Sequence, residues 1–299
     1  STFFKITFLF FVFLIFCTTS FSQQELILGS ERYSEYFHLI KGKGVGIVAN
    51  HSSIIKDKHL IDILFDKGID IKKIFSPEHG FSGIADAGEK INVKKNYQTD
   101  IPIISLYGDD KKPSKKDLKE ISIMIFDIQD VGVRFYTYLS TLHYVMEACA
   151  ENNVPLIVLD RPNPNIQLID GPVLEEDCKS FVGMHPVPIV YGMTIGEYSQ
   201  MINGEYWLKN KIKCELKVIK IKNYTRNTEY ELPIRPSPNL PNQQSIKLYP
   251  SLCLFEPTAI SIGRGTKNQF QIYGHPDLPK TKFIFCPKSY PGAKNPKYK

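Results

Sequence analysis

The run Ile121-Ser122-Ile123-Met124-Ile125-Phe126 passes directly into Asp127-Ile128-Gln129-Asp130-Val131-Gly132-Val133-Arg134-Phe135-Tyr136. A short apolar run rich in β-branched residues reads as a buried strand, and a strand apolar on both faces belongs to a parallel sheet covered on both sides. Ligands of such sheets gather just beyond the strands' carboxyl ends, so the carboxylates and the arginine that follow are placed for chemistry rather than for solubility. Three other segments repeat the arrangement. Gly44 to Ala49 leads into Asn50-His51-Ser52, Ile71 to Phe75 into Ser76-Pro77-Glu78-His79-Gly80, and Val154 to Leu159 into Asp160-Arg161-Pro162-Asn163.

Helical periods separate these strands. Asp57 to Lys67 carries Leu60, Ile61 and Leu64 on one face, with Gly68 as a stop signal. Tyr138 to Asn152 carries Leu139, Leu142, Val145, Met146 and Cys149 at helical spacing. Thr194-Ile195-Gly196-Glu197 reads as a capping box that opens a further helix, which makes Glu197 a cap, and Leu216 to Ile221 reads as one more strand. Strands alternating with helices imply parallel pairing through right-handed crossovers, hence an α/β fold built on a Rossmann-like parallel sheet.

Pro233, Pro236, Pro238 and Pro241 crowd one short stretch and block regular structure there. The expected organisation is a Rossmann-like domain over 23–235 and a smaller, loop-rich α+β domain over 236–299. The chain closes on Pro296-Lys297-Tyr298-Lys299 with no terminating helix, so that second domain is expected to be incomplete. At the other end, Lys5 precedes the apolar stretch Ile6 to Cys17, and Ser20-Phe21-Ser22 supplies a small-x-small cleavage signature. Residues 1–22 are therefore expected to be a secretory signal peptide, with the mature protein exported across the inner membrane, in the periplasm, and without a membrane anchor.

The composition is that of a globular protein: 42% hydrophobic and 23% charged over 299 residues, with a formal net charge of +6. Lys111-Lys112 and Lys115-Lys116 form a local basic cluster without interleaved aromatics, which reads as a solvated loop and not as a nucleic-acid surface. The cysteines beyond Cys17, at 149, 178, 214, 253 and 286, are widely spaced and include no Cys-x-x-Cys pair, against zinc and dithiol chemistry. Gly42-x-Gly44-x-Gly46 precedes its strand instead of following it, so it is no dinucleotide fingerprint. The chain also has no P-loop, no Gly-x-Ser-x-Gly elbow and no His-Glu-x-x-His. No cofactor and no metal are expected.

Glu78 is the sharpest catalytic candidate, since it projects from a proline-stiffened turn just past a strand, where a carboxyl can serve as a general acid. Asp127 and Asp130 follow another strand end, and Arg134 is expected to pair with one of them. Tyr136 offers a hydroxyl and a flat face suited to a sugar ring. Asn50, His51, His79, Asn163 and Asn239 are further candidates for substrate hydrogen bonds. Arg161 and Arg264, the second in a glycine-flanked loop, are candidate anchors for a carboxylate, which a bidentate guanidinium reads well.

These motifs together resemble the exo-β-N-acetylmuramidase family, formerly a domain of unknown function. The resemblance lies in Ser76-Pro77-Glu78-His79-Gly80-Phe81, the block from Asp127 to Tyr138, and Leu159-Asp160-Arg161-Pro162-Asn163-Pro164. It continues in Gly171-Pro172-Val173-Leu174, Tyr191 to Glu197, Pro236 to Pro241 and Gly263-Arg264-Gly265-Thr266. Tyr191 stands where many members carry histidine. The resemblance implies a cleft between the two domains and release of N-acetylmuramic acid from the non-reducing ends of peptidoglycan fragments. It implies Glu78 as the catalytic acid, with Asp127 or Asp130 activating water, stabilising the oxocarbenium or orienting another group, and with an arginine on the lactyl carboxylate. The rival from another class is a non-catalytic periplasmic protein that binds muropeptides or sugars; it would need aromatics and hydrogen bonds but no poised acid.

Overall fold

A computed structural model describes residues 25–83 and 100–298; the expected signal peptide lies outside the described residues. Short helix α1 (Tyr33–Ile40) precedes strand β1 (Val45–Ala49). A two-residue ribbon, β2 (Ile54–Ile55) with β3 (Lys58–His59), leads into α2 (Leu60–Asp66), β4 (Ile71–Ser76) and β5 (Ile103–Ser105). Then follow β6 (Ile123–Asp127), α3 (Tyr138–Asn152), β7 (Leu156–Leu159), the small pair β8 (Ile169–Asp170) and β9 (Val190–Tyr191), α4 (Ile195–Gly204), β10 (Leu216–Ile219) and α5 (Gln243–Leu252).

Six strands form one parallel sheet in the order β10-β7-β6-β1-β4-β5. The chain starts at the centre, moves out through β4 to β5, then returns to build β6, β7 and β10 on the other side. That is the Rossmann strand order, and its switch point lies between β1 and β6. The four strands that end at Ala49, Ser76, Asp127 and Leu159 are thus neighbours, and their polar sequels converge along one edge.

Alternate residues of each strand serve opposite faces. Val48, Phe75, Met124, Phe126, Leu156 and Val158 pack with Leu139, Leu142, Val145 and Met146 of α3. Ile47, Ile74, Ile125, Ile157 and Leu159 pack with Tyr36 and Ile40 of α1 and with Leu60, Ile61 and Leu64 of α2. Cys149 sits fully buried in the first of these layers, as a small hydrophobe. Residues past the proline-rich stretch, among them Leu240, Ile246, Tyr249, Ile262 and Phe270, join that same layer.

Helix α3 has the bounds its periodicity predicts, and Thr194 and Glu197 form the expected capping box on α4. The helix expected from Asp57 starts later. Lys58–His59 pairs with β2, and the His59 ring caps α2 by accepting from the Ile61 N–H. The solvated-loop reading holds for the exposed Lys115 and Lys116 and needs correction for Lys111 and Lys112. Lys112 lies 2.6 Å from the buried Glu147 carboxylate and 2.7 Å from Glu151, and Lys111 lies over the Phe181 ring at 4.6 Å. Beside Glu147, a buried histidine pair links α3 to the loop before β9. His143 Nδ1 and His185 Nε2 are 2.9 Å apart, and His185 Nδ1 is 3.1 Å from the Tyr198 hydroxyl. The His185 ring stacks on Trp207.

Candidate active site

Glu78 is placed by a tight turn. Strand β4 ends at Ser76, the Gly80 N–H donates to the Pro77 carbonyl at 3.1 Å, and the Gly83 N–H donates to the Gly80 carbonyl at 3.1 Å. His79 and Gly80 both take left-handed backbone, with φ of 67° and 73°. Gly83, with φ 65°, lies against the His51 imidazole, where a Cβ would come within 1.9 Å of Nδ1. That close approach holds His51 in place; its Nε2 meets the Arg235 carbonyl at 2.8 Å. Burial and the neighbouring His79, Arg235 and His59 charges push the His51 pKa down, which keeps the ring neutral.

The half-buried Glu78 carboxylate accepts one hydrogen bond, from Thr137 Oγ1 at 2.6 Å, and makes no ion pair among the described residues. It forms part of the wall of an open cleft of about 170 Å³. Aromatic residues dominate that cleft: Tyr107, Phe135, Tyr136, Tyr138, Phe181, Tyr249 and Phe270. The proline-rich stretch and residues beyond it close its other side, with Asn239, Glu256 and Arg264 at the wall. Arg264 Nη1 lies 3.0 Å from Glu256 Oε1, both side chains being about one-third exposed. Asn239 donates from Nδ2 to the Gly292 carbonyl at 2.9 Å. Tyr136 donates its hydroxyl to the Pro236 carbonyl at 2.9 Å, which ties the two sides together.

The other predicted residues form a second layer, at the switch point of the sheet. Asp127, fully buried, accepts from Arg161 Nε at 2.6 Å and from Arg161 Nη2 at 2.9 Å. This corrects the expected pairing of Arg134 with Asp127 or Asp130. Arg134 instead donates to the Pro172 carbonyl at 2.8 Å and to the Val187 carbonyl, because β8, β9 and their loops bring these carbonyls to it. Arg161 opens not onto the Glu78 cleft but onto a separate depression lined by Ser52, Gln129 and Tyr230. Asp130 Oδ2 accepts from the Gly132 N–H at 2.7 Å and from the Tyr191 hydroxyl. Its Oδ1 is buried without a partner among the described residues, and burial pushes the acid up to about 6.

Asn50 and Asn163 serve the backbone here. Asn50 Oδ1 accepts from the Ser52 N–H at 2.9 Å and its Nδ2 donates to the Tyr138 hydroxyl at 3.0 Å. Asn163 Nδ2 donates to the Met193 carbonyl at 2.9 Å, and the Asn163 amide lies where a Cβ on Gly132, φ 77°, would come within 2.1 Å. His79 lines the Glu78 cleft. Sequence reasoning thus gathered two layers into one list: Glu78, His79, Tyr136, Asn239 and Arg264 share the cleft, whereas Asn50, Asp127, Asp130, Arg161 and Asn163 support it from beneath. It missed Thr137 and Glu256. Thr137 carries a usable signal, a hydroxyl between two tyrosines at the start of a strongly periodic helix; Glu256 carries none.

Two sequence models cover most of the chain, both described as exo-beta-N-acetylmuramidase NamZ: the N-terminal one matches residues 45–244 and the C-terminal one residues 247–290. A peptidoglycan beta-N-acetylmuramidase NamZ from Bacillus subtilis is 42% identical over 255 residues, which is 83% of this chain and 61% of that protein. The chain thus spans about three-fifths of the length of that relative. Two crystal structures of Bacteroides fragilis proteins, both described as DUF1343 family members, share the fold. One has a TM-score of 0.84 at 48% identity, covering 91% of this chain and 73% of the other. The second has a TM-score of 0.74 at 36% identity, covering 83% and 65%. With matching models on both sides of the cleft, the chain belongs to the family of the exo-beta-N-acetylmuramidase NamZ.

Proposed function

We propose that this protein is an exo-acting glycoside hydrolase that releases N-acetylmuramic acid from the non-reducing ends of peptidoglycan fragments. The observation that carries the reading is Glu78: a carboxyl at the wall of an aromatic cleft, held by one hydroxyl and neutralised by no described cation. Asp127, by contrast, is fully buried and spends both its oxygens on Arg161. Glu78 has the freedom a proton donor needs, and it delivers its proton to the glycosidic oxygen of the departing sugar. This favours an enzyme over a binding protein, for which an unpaired carboxyl in the site would be a cost without a return.

The lactyl carboxylate separates N-acetylmuramic acid from N-acetylglucosamine. Arg161 spends its fork on Asp127, and Arg134, whose Nη1 meets two carbonyls, does not line the cleft, whereas Arg264 stands at the cleft wall against a partly exposed Glu256. We therefore place the lactyl carboxylate on Arg264, which meets it with donors that Glu256 does not use. Asp127 and Asp130 act through Arg161 and Tyr191, holding the loops that carry the cleft. Export and a periplasmic site of action belong to the same reading and rest on the leader-like residues 1–22.

The test offers the purified protein a chromogenic N-acetylmuramide beside the matching N-acetylglucosaminide. The reading requires turnover of the muramide, preferred by at least about tenfold, a gap of roughly 1.4 kcal/mol. Saturable binding of the muramide with no release of chromophore would make the protein a sugar-binding module.

A further inference from the structure

Residues 136–138 each hold a different part of the molecule. The Tyr136 hydroxyl reaches the Pro236 carbonyl, the Thr137 hydroxyl reaches Glu78, and the Tyr138 hydroxyl takes the Asn50 amide at 3.0 Å. The start of α3 is therefore bolted to the turn after β4, the loop after β1 and the proline-rich stretch at once.

Thr137 is the N-cap residue of α3, where a threonine hydroxyl ordinarily accepts a hydrogen bond from a backbone N–H of the first turn. Here it makes no such bond, and its backbone at the cap is φ −66°, ψ −8°, already helical. The hydroxyl has been taken from the helix and given to Glu78. The helix thus forgoes the stabilisation that such a cap contributes, and the hydroxyl serves Glu78. The 15-residue helix is stabilised instead by its buried face.

We propose that Thr137 is the positioning residue for Glu78. This rests on Glu78 being the proton donor. Donating to Oε2, the hydroxyl occupies that oxygen and fixes the plane of the carboxyl. Oε1, which has no partner among the described residues, becomes the oxygen that carries the proton toward the glycosidic oxygen. Without the hydroxyl the side chain gains rotamers in which neither oxygen addresses the bond to be cleaved. A loss of orientation lowers the rate of the chemical step and leaves ground-state binding of the sugar nearly intact, since the aromatic walls and Arg264 do not depend on it.

The experiment compares Thr137→Val, Thr137→Ser and Glu78→Gln with the parent on the chromogenic muramide, measuring kcat, KM and the melting temperature. Valine keeps the branched shape and removes the donor, and serine restores the donor without the methyl. The expected result is a kcat lowered about tenfold or more by Thr137→Val, with KM within about twofold and melting within about 2 °C, while Thr137→Ser keeps at least about a third of the parent kcat. Tenfold corresponds to roughly 1.4 kcal/mol of transition-state stabilisation. Thr137→Ala carries the same test if the valine variant does not fold. If Glu78→Gln is inactive while Thr137→Val turns over at the parent rate, Thr137 is not a positioning residue and the proton-donor reading stands. If serine fails to rescue, the role of Thr137 is packing, and the proposal is overturned. If Glu78→Gln itself turns over normally, Glu78 is not the proton donor and the proposal falls with that reading.

Discussion

Arg161 and Arg264 both lie in the motifs that carry the family resemblance, yet the first is locked on a buried aspartate and the second lines the cleft, and Arg161→Met separates the two. Asp127 is fully buried, and both its oxygens are spent on Arg161, at 2.6 and 2.9 Å. Methionine fills much of the same volume but leaves that carboxylate charged and unpartnered in the sheet edge. Breaking a buried pair from one side costs about 3–5 kcal/mol. For a chain of this size each kcal/mol moves the melting temperature by roughly 2–4 °C, so the variant should melt on the order of 10 °C lower. Denaturant titration and calorimetry at pH 7.5 read the loss. The double variant Asp127→Leu with Arg161→Met, which removes both charges, should recover more than half of it. The preference for muramide over glucosaminide in the surviving folded protein should equal that of the parent. A stability loss under about 1 kcal/mol together with a collapsed preference would refute this reasoning and return the carboxylate-reading role to Arg161.

The reciprocal variant, Arg264→Gln, should leave the melting temperature within about 2 °C of the parent, because its partner Glu256 is partly exposed. It should cut the muramide preference about tenfold through the muramide KM, read on the same pair of chromogenic glycosides. Burial, with the His143 and Lys179 charges behind it, pushes the His185 pKa down to about 3, so the unfolded ring, titrating near 6.5, takes up protons that the native ring refuses. Its contribution to stability is thus complete above pH 6.5 and is lost as pH falls toward the folded value. By pH 5, 1.5 units below the unfolded titration point, the loss is about 2 kcal/mol relative to pH 7.5. The buried acids Asp130 and Asp160, pushed up by burial, titrate with the opposite sign over this range. The measurement is therefore the stability gap between parent and His185→Gln, which should shrink by about 2 kcal/mol from pH 7.5 to pH 5, and a gap independent of pH would remove His185 as the cause.

Much of the fold could be read locally because its central strands are buried on both faces and carry almost no polar residues before their ends. The runs closing at Ala49, Phe126 and Leu159 announced themselves that way, and α3 did so through its five apolar positions. Edge elements were harder. Strand β5 is three residues long, follows Pro102 and is only partly buried. Helix α5 begins on Gln243-Gln244 and contains Pro250, so its period is masked, although Asn242 caps it by accepting from the Ser245 N–H. The site residues were legible as types and places, and their partners were not. Arg134 lies four positions from Asp130, a spacing that suggests a pair, but pairing is decided by which loops meet in space. Asp127 finds its partner 34 residues on, and Glu78 finds its hydroxyl 59 residues on. No local period encodes such distances.

The account rests on Glu78 as the proton donor, and Glu78→Gln on the chromogenic N-acetylmuramide tests that most directly. Glutamine keeps the shape and can still accept from Thr137 Oγ1 through its amide oxygen, but it has no proton to give. The expected result is turnover lowered about a hundredfold or more, with melting unchanged, since the replaced group is held by a single hydrogen bond at the cleft wall. A Glu78→Gln protein that melts normally and cleaves the muramide at the parent rate would contradict the account.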